Sequence, residues 1–599
     1  MTLWVAAALL AEQPPITRID PPHWWVGMGY DTVELLVEGA NLGTSPIRVQ
    51  GMGVTLADDR SATNSRYRYV TIAVSADAPA QNIRIYTEGS ADTTRYELRH
   101  RKTGHSKIGL DPSDMMYLIM VDRFANGDTG NDAVATMREK RVDRSAPYGR
   151  HGGDLTGVRE HIGYLDSLGI TAVWMCPVLE NDQPRSSYHG YAITDHYAID
   201  PRIGTVDDYR KVSDALHQRS MRLVVDVVLN HTGDEHRLFR QPPDSAWFNW
   251  WPEYTQTSGR ENTNFDPYAT DQDKRRFRQG WFDRSMPDLN TADAHVARYL
   301  VQNTIWWIEE ADVDALRVDT YTYPDQAFMN TWTATIRKVF PGIFIFGETW
   351  VDSHPSQAYY LEKFPFNPDS HLQSTTDFQL YTALRDVLTQ QSGWDSGTGR
   401  LYRTLAADYL YASPDRQVTF LDNHDLPRIA GVVNRNTQKL KMGLALLLTL
   451  RGIPCITYGT ECGFAATSDH GSIREDMPGG WPGDSHSFGR NAFATDNDVA
   501  QWLRSLLTFR RSSPAMSTGV MHHITPQNGL YAVMRSTDSE TILCIINADD
   551  SERTLDVGRL DDVLKGQRDA IEIPLMNPVR ITHHITMQPF TTQILSFRH

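Results

Sequence analysis

Four short stretches of this chain place acids and histidines directly after apolar runs: Asp226-Val-Val-Leu-Asn230-His231, Arg317-Val-Asp319, Gly347-Glu348-Thr349-Trp350 and Asp422-Asn423-His424-Asp425. One acid at such a place is an ordinary capping or ion-paired residue. Several gathered together repel one another, and the cost is met only by counter-charge or by function. Arg317 and Asp319 lie two apart on an extended strand and so leave the same face, which predicts that Arg317 holds Asp319 ionised. Glu348 follows the apolar run 343–346, where burial and neighbouring carboxylates should raise its pKa and keep it protonated near neutrality. One ionised and one protonated carboxyl facing a substrate is the requirement of retaining glycoside hydrolysis. The same acids with His231 or His424 could serve a metal-dependent hydrolase, but no HxH or HExxH spacing supports that chemistry.

Such residues must be carried by a scaffold that points strand ends at one place. Short apolar runs separated by helix-length segments are expected at 116–121, 172–176, 223–228, 315–318, 343–346, 375–378, 418–421 and 455–458, a pattern that implies a parallel sheet with crossover helices. Eight such strands close a (β/α)8 TIM barrel, whose chemistry sits at the C-terminal strand ends. The gap between the third and fourth strands is the longest, so an inserted subdomain is expected at about 232–284, rich in Trp, Asn, Asp and Pro. Alternating β-branched runs before the barrel read as an N-terminal β-sandwich over 16–110, ending in a polar linker at 99–107. The barrel is expected over 111–513, and a C-terminal antiparallel β-domain over 514–599. Residues 1–15 read either as a signal peptide of a periplasmic or otherwise exported protein, or as a frayed tail of a cytoplasmic one.

Composition removes other classes of function. Across 599 residues, 58 Lys and Arg against 74 Asp and Glu leave a net charge of -16, which repels nucleic acid and anionic lipid. No apolar run is long enough to span a bilayer. Four cysteines without CxxC spacing read as isolated thiols. The 15 Trp, 25 Tyr and 20 Phe are more aromatic surface than a core needs and suit a cleft with flat apolar walls.

The segments DVVLNH (226–231), LRVDTYTY (316–323), GETW (347–350) and FLDNHD (420–425) resemble, in order and by strand, the four signature segments of the α-amylase family. The resemblance implies Asp319 as nucleophile, Glu348 as general acid/base and Asp425 as the third carboxylate. It also implies substrate binding by Tyr191, His231, Arg317 and His424, and a structural role for Asp226 and Asn230. PPHWWVGM (21–28), MPDLN (286–290) and IREDMPGGWPGD (473–484) are similar to the cyclomaltodextrinase and neopullulanase subgroup. One departure is Thr322-Tyr323, where the subgroup more often carries Asn-Glu. Those side chains face the leaving group, so a preference for α-1,4 or α-1,6 bonds does not transfer.

The loop from Asp122 to Asp132 supplies hard oxygen ligands around a Gly turn, the composition that Ca2+ prefers. It resembles the family's calcium loop, which implies a structural Ca2+ held by Asn126, Asp128, Asn131, Asp132, Gly152 and Asp154. Trp350, Trp481 and the Trp247–Trp251 cluster join Tyr191 as candidate walls for glucose rings, because pyranose faces are apolar. The expected activity is retaining hydrolysis of α-glucosidic bonds in cyclodextrins, pullulan or starch-derived oligosaccharides. A transglycosylating α-glucanotransferase and a non-catalytic starch-binding protein are the alternatives. The expected assembly is a monomer or homodimer.

Overall fold

The computed structural model describes residues 16–599 apart from 41, 43–45, 89–92, 103–107, 486–487 and 489–497. Residues 1–15, the expected signal or tail, lie outside the described residues, as do 103–107 of the expected linker.

Eight parallel strands form the central sheet: β1 (Met116–Ile119), β2 (Ala172–Met175), β3 (Arg222–Val227), β4 (Ala315–Val318), β5 (Phe344–Gly347), β6 (Ser374–Thr375), β7 (Val418–Phe420) and β8 (Ile453–Thr457). Their order is β6-β5-β4-β3-β2-β1-β8-β7, and a parallel bridge from Thr376 to Val418 closes the ring. The strands are covered on both sides, which is why they read as near-continuous apolar runs. Register then decides which strand-end groups meet. Asp226 pairs with Arg317 across β3 and β4, and Val318 pairs with Gly347 across β4 and β5.

The sixth strand corrects the expectation. It is two residues long, and Phe378, expected in the strand, begins a helix over Phe378–Thr389. The physical reason is Asp377, whose side chain accepts the Leu380 N–H and so caps that helix.

The N-terminal region is two four-stranded sheets. Arg18 of the first strand (Ile16–Asp20) grips Asp195 with both terminal nitrogens at 2.5 and 2.6 Å, and Arg237 pairs with Asp20 and Glu38. Trp24 and Trp25 are buried. A buried helix, Ala294–Ala311, runs under this region and exchanges two hydrogen bonds between Gln302 and the Glu34 backbone. The C-terminal region has a six-stranded and a two-stranded sheet. Among the described residues no helix is long and apolar enough to cross a membrane. The four cysteines are free thiols.

Candidate active site

The strand ends converge on a cleft of about 580 Å³ lined by Tyr191, His231, Asp319, Glu348, Trp350 and Asp425, among others. Buried behind these acids is a single guanidinium. Arg317 Nη1 donates to Asp226 (2.8 Å) and to Asp319 (2.7 Å), while Nη2 pairs with Glu348 at 2.7 Å. Asp226 takes further bonds from Trp174 Nε1 (3.0 Å) and the Tyr191 hydroxyl (2.9 Å). It therefore orients Arg317 and Tyr191 and has no free edge toward the cleft.

One positive charge among three buried carboxylates cannot neutralise them all. Burial raises the pKa of Asp319 first of all; Arg317 opposes this, and Glu348, Asp226 and Asp425 add to it. Burial likewise raises Glu348, against Arg317 and with Asp425. The pairing of Arg317 with Asp319 is present as expected, but the same guanidinium also holds Glu348, so it does not single out Asp319 for ionisation. Asp425 has the opposite setting. Burial works to raise it, but His424 (3.1 Å), His470 and Arg474 (2.8 Å) hold the carboxylate well below its usual range.

The backbone after β4 is shaped for the pair. Thr320 has φ of 43°, a left-handed conformation that a β-branched residue adopts only under constraint, and its N–H donates to Glu348 Oε2 at 3.1 Å. Gly347 is required for packing, because a Cβ there would lie 2.5 Å from the Tyr321 ring.

The Tyr191 hydroxyl reaches His424 Nε2 at 2.8 Å, with the two rings parallel. Burial pushes His231 down to about 4, so the ring is neutral; it stacks on Phe282, and its Nε2 has no protein partner. A neutral imidazole with a free nitrogen at a cleft can bond a sugar hydroxyl. Trp350 is 54 % exposed and stacks on Phe378 at 4.8 Å.

Two other expected walls are not at the cleft. Trp481 is buried, donates to the His151 carbonyl and carries Arg144 on its face. Trp247 is buried and donates to the Tyr69 hydroxyl, tying the insert to the N-terminal sheet; Trp251 donates to the Gln279 carbonyl within the insert. These indoles satisfy their N–H groups in structural joints. Sequence reasoning missed Arg474, Tyr188, His470, Phe282 and Met286, all at the cleft. Arg474 donates to Asp425, the His424 carbonyl and the Tyr188 hydroxyl.

The expected calcium loop is partly committed elsewhere. Asp154 accepts from the N–H groups of Gly127, Asp128 and Gly157, so it caps the helix Leu155–Glu160 and folds the loop over itself. Asp128 accepts from Gly130 N–H. Asn126 Nδ2 donates to Asp132 at 2.8 Å, while Asn126 Oδ1 and Asn131 Oδ1 are buried without a partner. Gly152, at φ of 90°, approaches so closely that a Cβ would lie 2.6 Å from Asp132 Oδ1. Two orphaned amide oxygens beside one carboxylate fit a hard cation. Among the described residues no group of three His, Cys, Asp or Glu side chains is placed to hold a metal.

A description of the α-amylase catalytic domain matches residues 118–501. The chain belongs to the α-amylase family. Cyclomaltodextrinase N-terminal and C-terminal domains match 18–102 and 520–596, and the protein is a glycoside hydrolase of this family. It is 28% identical to a β/α-amylase from Paenibacillus polymyxa over 76% of this chain, a match that spans only 35% of that longer relative. It is 27% identical to a cyclomaltodextrinase from a Bacillus species over 74% of each chain. The α-amylase of Geobacillus thermoleovorans has the same architecture, with a TM-score of 0.67 at 25% identity, covering 83% of this chain and all of that one. The family supports α-glucans as the substrate class.

Proposed function

We propose that the cleft hydrolyses α-1,4 glucosidic bonds, and as a second specificity α-1,6 bonds, with retention of configuration. The observation that carries this is the shared guanidinium: oxygens of Asp319 and Glu348 sit on the two terminal nitrogens of Arg317. Two carboxyls sharing one guanidinium are held near each other, which favours the close pair of a retaining enzyme, about 5–5.5 Å apart in such enzymes, over the wider pair of an inverting one. Asp319 attacks the anomeric carbon while Glu348 gives its proton to the departing glycosidic oxygen, forming a β-glucosyl ester on Asp319. Glu348, now a carboxylate, takes a proton from water, whose oxygen opens the ester and restores both acids. Asp425, held ionised, accepts hydrogen bonds from sugar hydroxyls. The cluster 126–132 with Gly152 would hold a structural Ca2+ through Asn126, Asn131 and Asp132, with Asp154 folding the loop. When bound, that ion supplies only rigidity near the mouth.

The test is product analysis on cyclodextrin, pullulan and soluble starch, with Asp319→Asn alongside. Release of α-anomeric sugar by the wild type and none by the variant is expected. Inverted products, or full activity in the variant, would overturn the reading. Panose from pullulan marks neopullulanase behaviour, and preference for cyclodextrin over starch marks cyclomaltodextrinase behaviour.

A further inference from the structure

Four aromatic rings beside the cleft form a strip. Phe265 from the insert meets Tyr359 at 4.9 Å, Tyr359 meets Phe364 at 6.5 Å, and Phe364 meets Phe366 at 5.7 Å. Phe366 is 82 % exposed, and the other three are half-buried. Scattered apolar side chains on a surface need no explanation, but a contiguous row built by two separate segments does.

The row is tied to the active cleft. Buried Asn264, next to Phe265, donates to the Thr322 carbonyl at 2.8 Å and to the Tyr360 hydroxyl at 3.0 Å. The following residue, Tyr323, lines the cleft, and its hydroxyl lies in the field of both Glu348 and Glu261. The rim is polar: Arg278 bonds the Asn264 side chain and acts on Tyr359, and Asn367 donates to the Tyr359 carbonyl. Apolar faces bordered by amide and guanidinium groups match a pyranose, whose ring face is apolar and whose edge is hydroxylated.

We propose that Phe265, Tyr359, Phe364 and Phe366 form a secondary α-glucan site that holds the distal part of a long chain while its scissile bond sits at Asp319 and Glu348. This rests on the α-glucan reading of the cleft. It makes the enzyme prefer polymer over short oligosaccharide by binding, without altering the chemical step.

The strip is tested first without turnover, by electrophoresis of the Asp319→Asn protein through gels containing soluble starch, with and without Phe366→Ala and Phe364→Ala. Retardation of the parent and its loss in the strip variants is expected. In the active enzyme the same substitutions should raise KM for starch about fivefold, the effect of roughly 1 kcal/mol of lost stacking. KM and kcat for maltotriose should be unchanged. Unaltered retardation, no retardation of the parent, or an equal change for starch and maltotriose would overturn the proposal. Loss of self-association with unaltered retardation would instead give the strip to a second copy of the chain. Failure of the wild type to cleave any α-glucan sinks the reading of the cleft, whereas normal cleavage with unaltered retardation sinks only the strip.

Discussion

At the barrel mouth one buried arginine serves three carboxylates, whereas at the joint between the barrel and the C-terminal sheet two buried arginines serve none. Arg510 donates to the carbonyls of Leu448, Met516 and Pro112, and Arg535 to those of Leu450 and Ser517. Leu448 and Leu450 end the helix Thr437–Thr449, and Met516 and Ser517 belong to the helix Pro514–Thr518. Helix C-termini carry partial negative charge, so they orient a guanidinium without holding a proton. Burial lowers the pKa of both arginines, because neither is bonded to a carboxylate and the more distant Asp114 and Asp415 only partly offset it. The mouth does the reverse, leaving acids short of counter-charge so that their proton affinity rises. Deficit of cation is a catalytic device, and deficit of anion is a structural joint.

The comparison is broken most sharply by Arg317→Met. Asp226, Asp319 and Glu348 would be left without their common cation, at a cost of about 3–5 kcal/mol. Activity on any α-glucan should fall at least about 10³-fold, because the same change frees the nucleophile and the acid from their positions. The acids' folded-state pKa values, already raised by burial, rise further in the variant. The folded chain therefore binds more protons than the unfolded chain, and its stability is lost as pH rises above the unfolded carboxylate value of about 4. Urea melts of both proteins should show the largest gap at neutral pH and a shrinking gap toward pH 4. A gap independent of pH would mean that the acids are not the source.

Next in size is the pH profile of the wild type. Glu348 must be protonated to act as acid, and burial with neighbouring charge raises its pKa. The alkaline limb of kcat/KM should then lie above the ordinary glutamate value of about 4.3. Glu348→Gln should remove that limb and lower kcat about 10²- to 10⁴-fold on starch, with a smaller loss on an aryl maltoside whose leaving group needs no proton. Equal losses on both substrates would argue against Glu348 as the acid.

The strand ends were legible because each apolar run is followed at once by a polar residue, so Asp226, Arg317, Asp319, Glu348 and Asp425 could be placed before any geometry. Family resemblance added Tyr191, His231 and His424; the structure brings Tyr191 and His231 to the cleft and buries His424 behind it, against Tyr191 and Asp425. Arg474 was illegible because it lies in a loop after β8 with no periodicity, and only the barrel's closure brings it to Asp425. The constraint at Thr320 has no sequence signal either, since Thr gives no hint of a positive φ. Trp247 and Trp481 were misplaced because indole content predicts flat surface without saying which face it meets. Asp154 was misjudged for a related reason: an acid before a helix caps it as readily as it binds a cation.

The joint gives the third effect. Arg510→Met keeps the side-chain volume but leaves three carbonyls unanswered, for a loss of about 1–3 kcal/mol. Unlike the change at Arg317, this loss should be flat between pH 4 and pH 7, because no carboxylate in contact changes its proton with the guanidinium. The variant's kcat on α-glucans should match the wild type. A variant whose kcat falls with its stability would show that the C-terminal joint bears on the cleft.

The smallest effect tests a site that lies between the two extremes, a carboxylate with neutral amide oxygens beside it and Asp122 and Asp128 in its field. Asp132 is raised first by burial, with Asn126 and Arg150 opposing, so a proton and a cation compete for it. Ca2+ bound there stabilises by mass action, and a chelator should lower Tm by a few degrees at neutral pH. The shift should shrink as pH falls, because protonation of Asp132 weakens the negative field that attracts the ion. Asn131→Ala or Asp132→Asn should lower Tm in the presence of Ca2+ and abolish the response to chelator. An undiminished response in Asp132→Asn would place the ion elsewhere, and no response in the wild type would assign the orphaned oxygens of Asn126 and Asn131 to water.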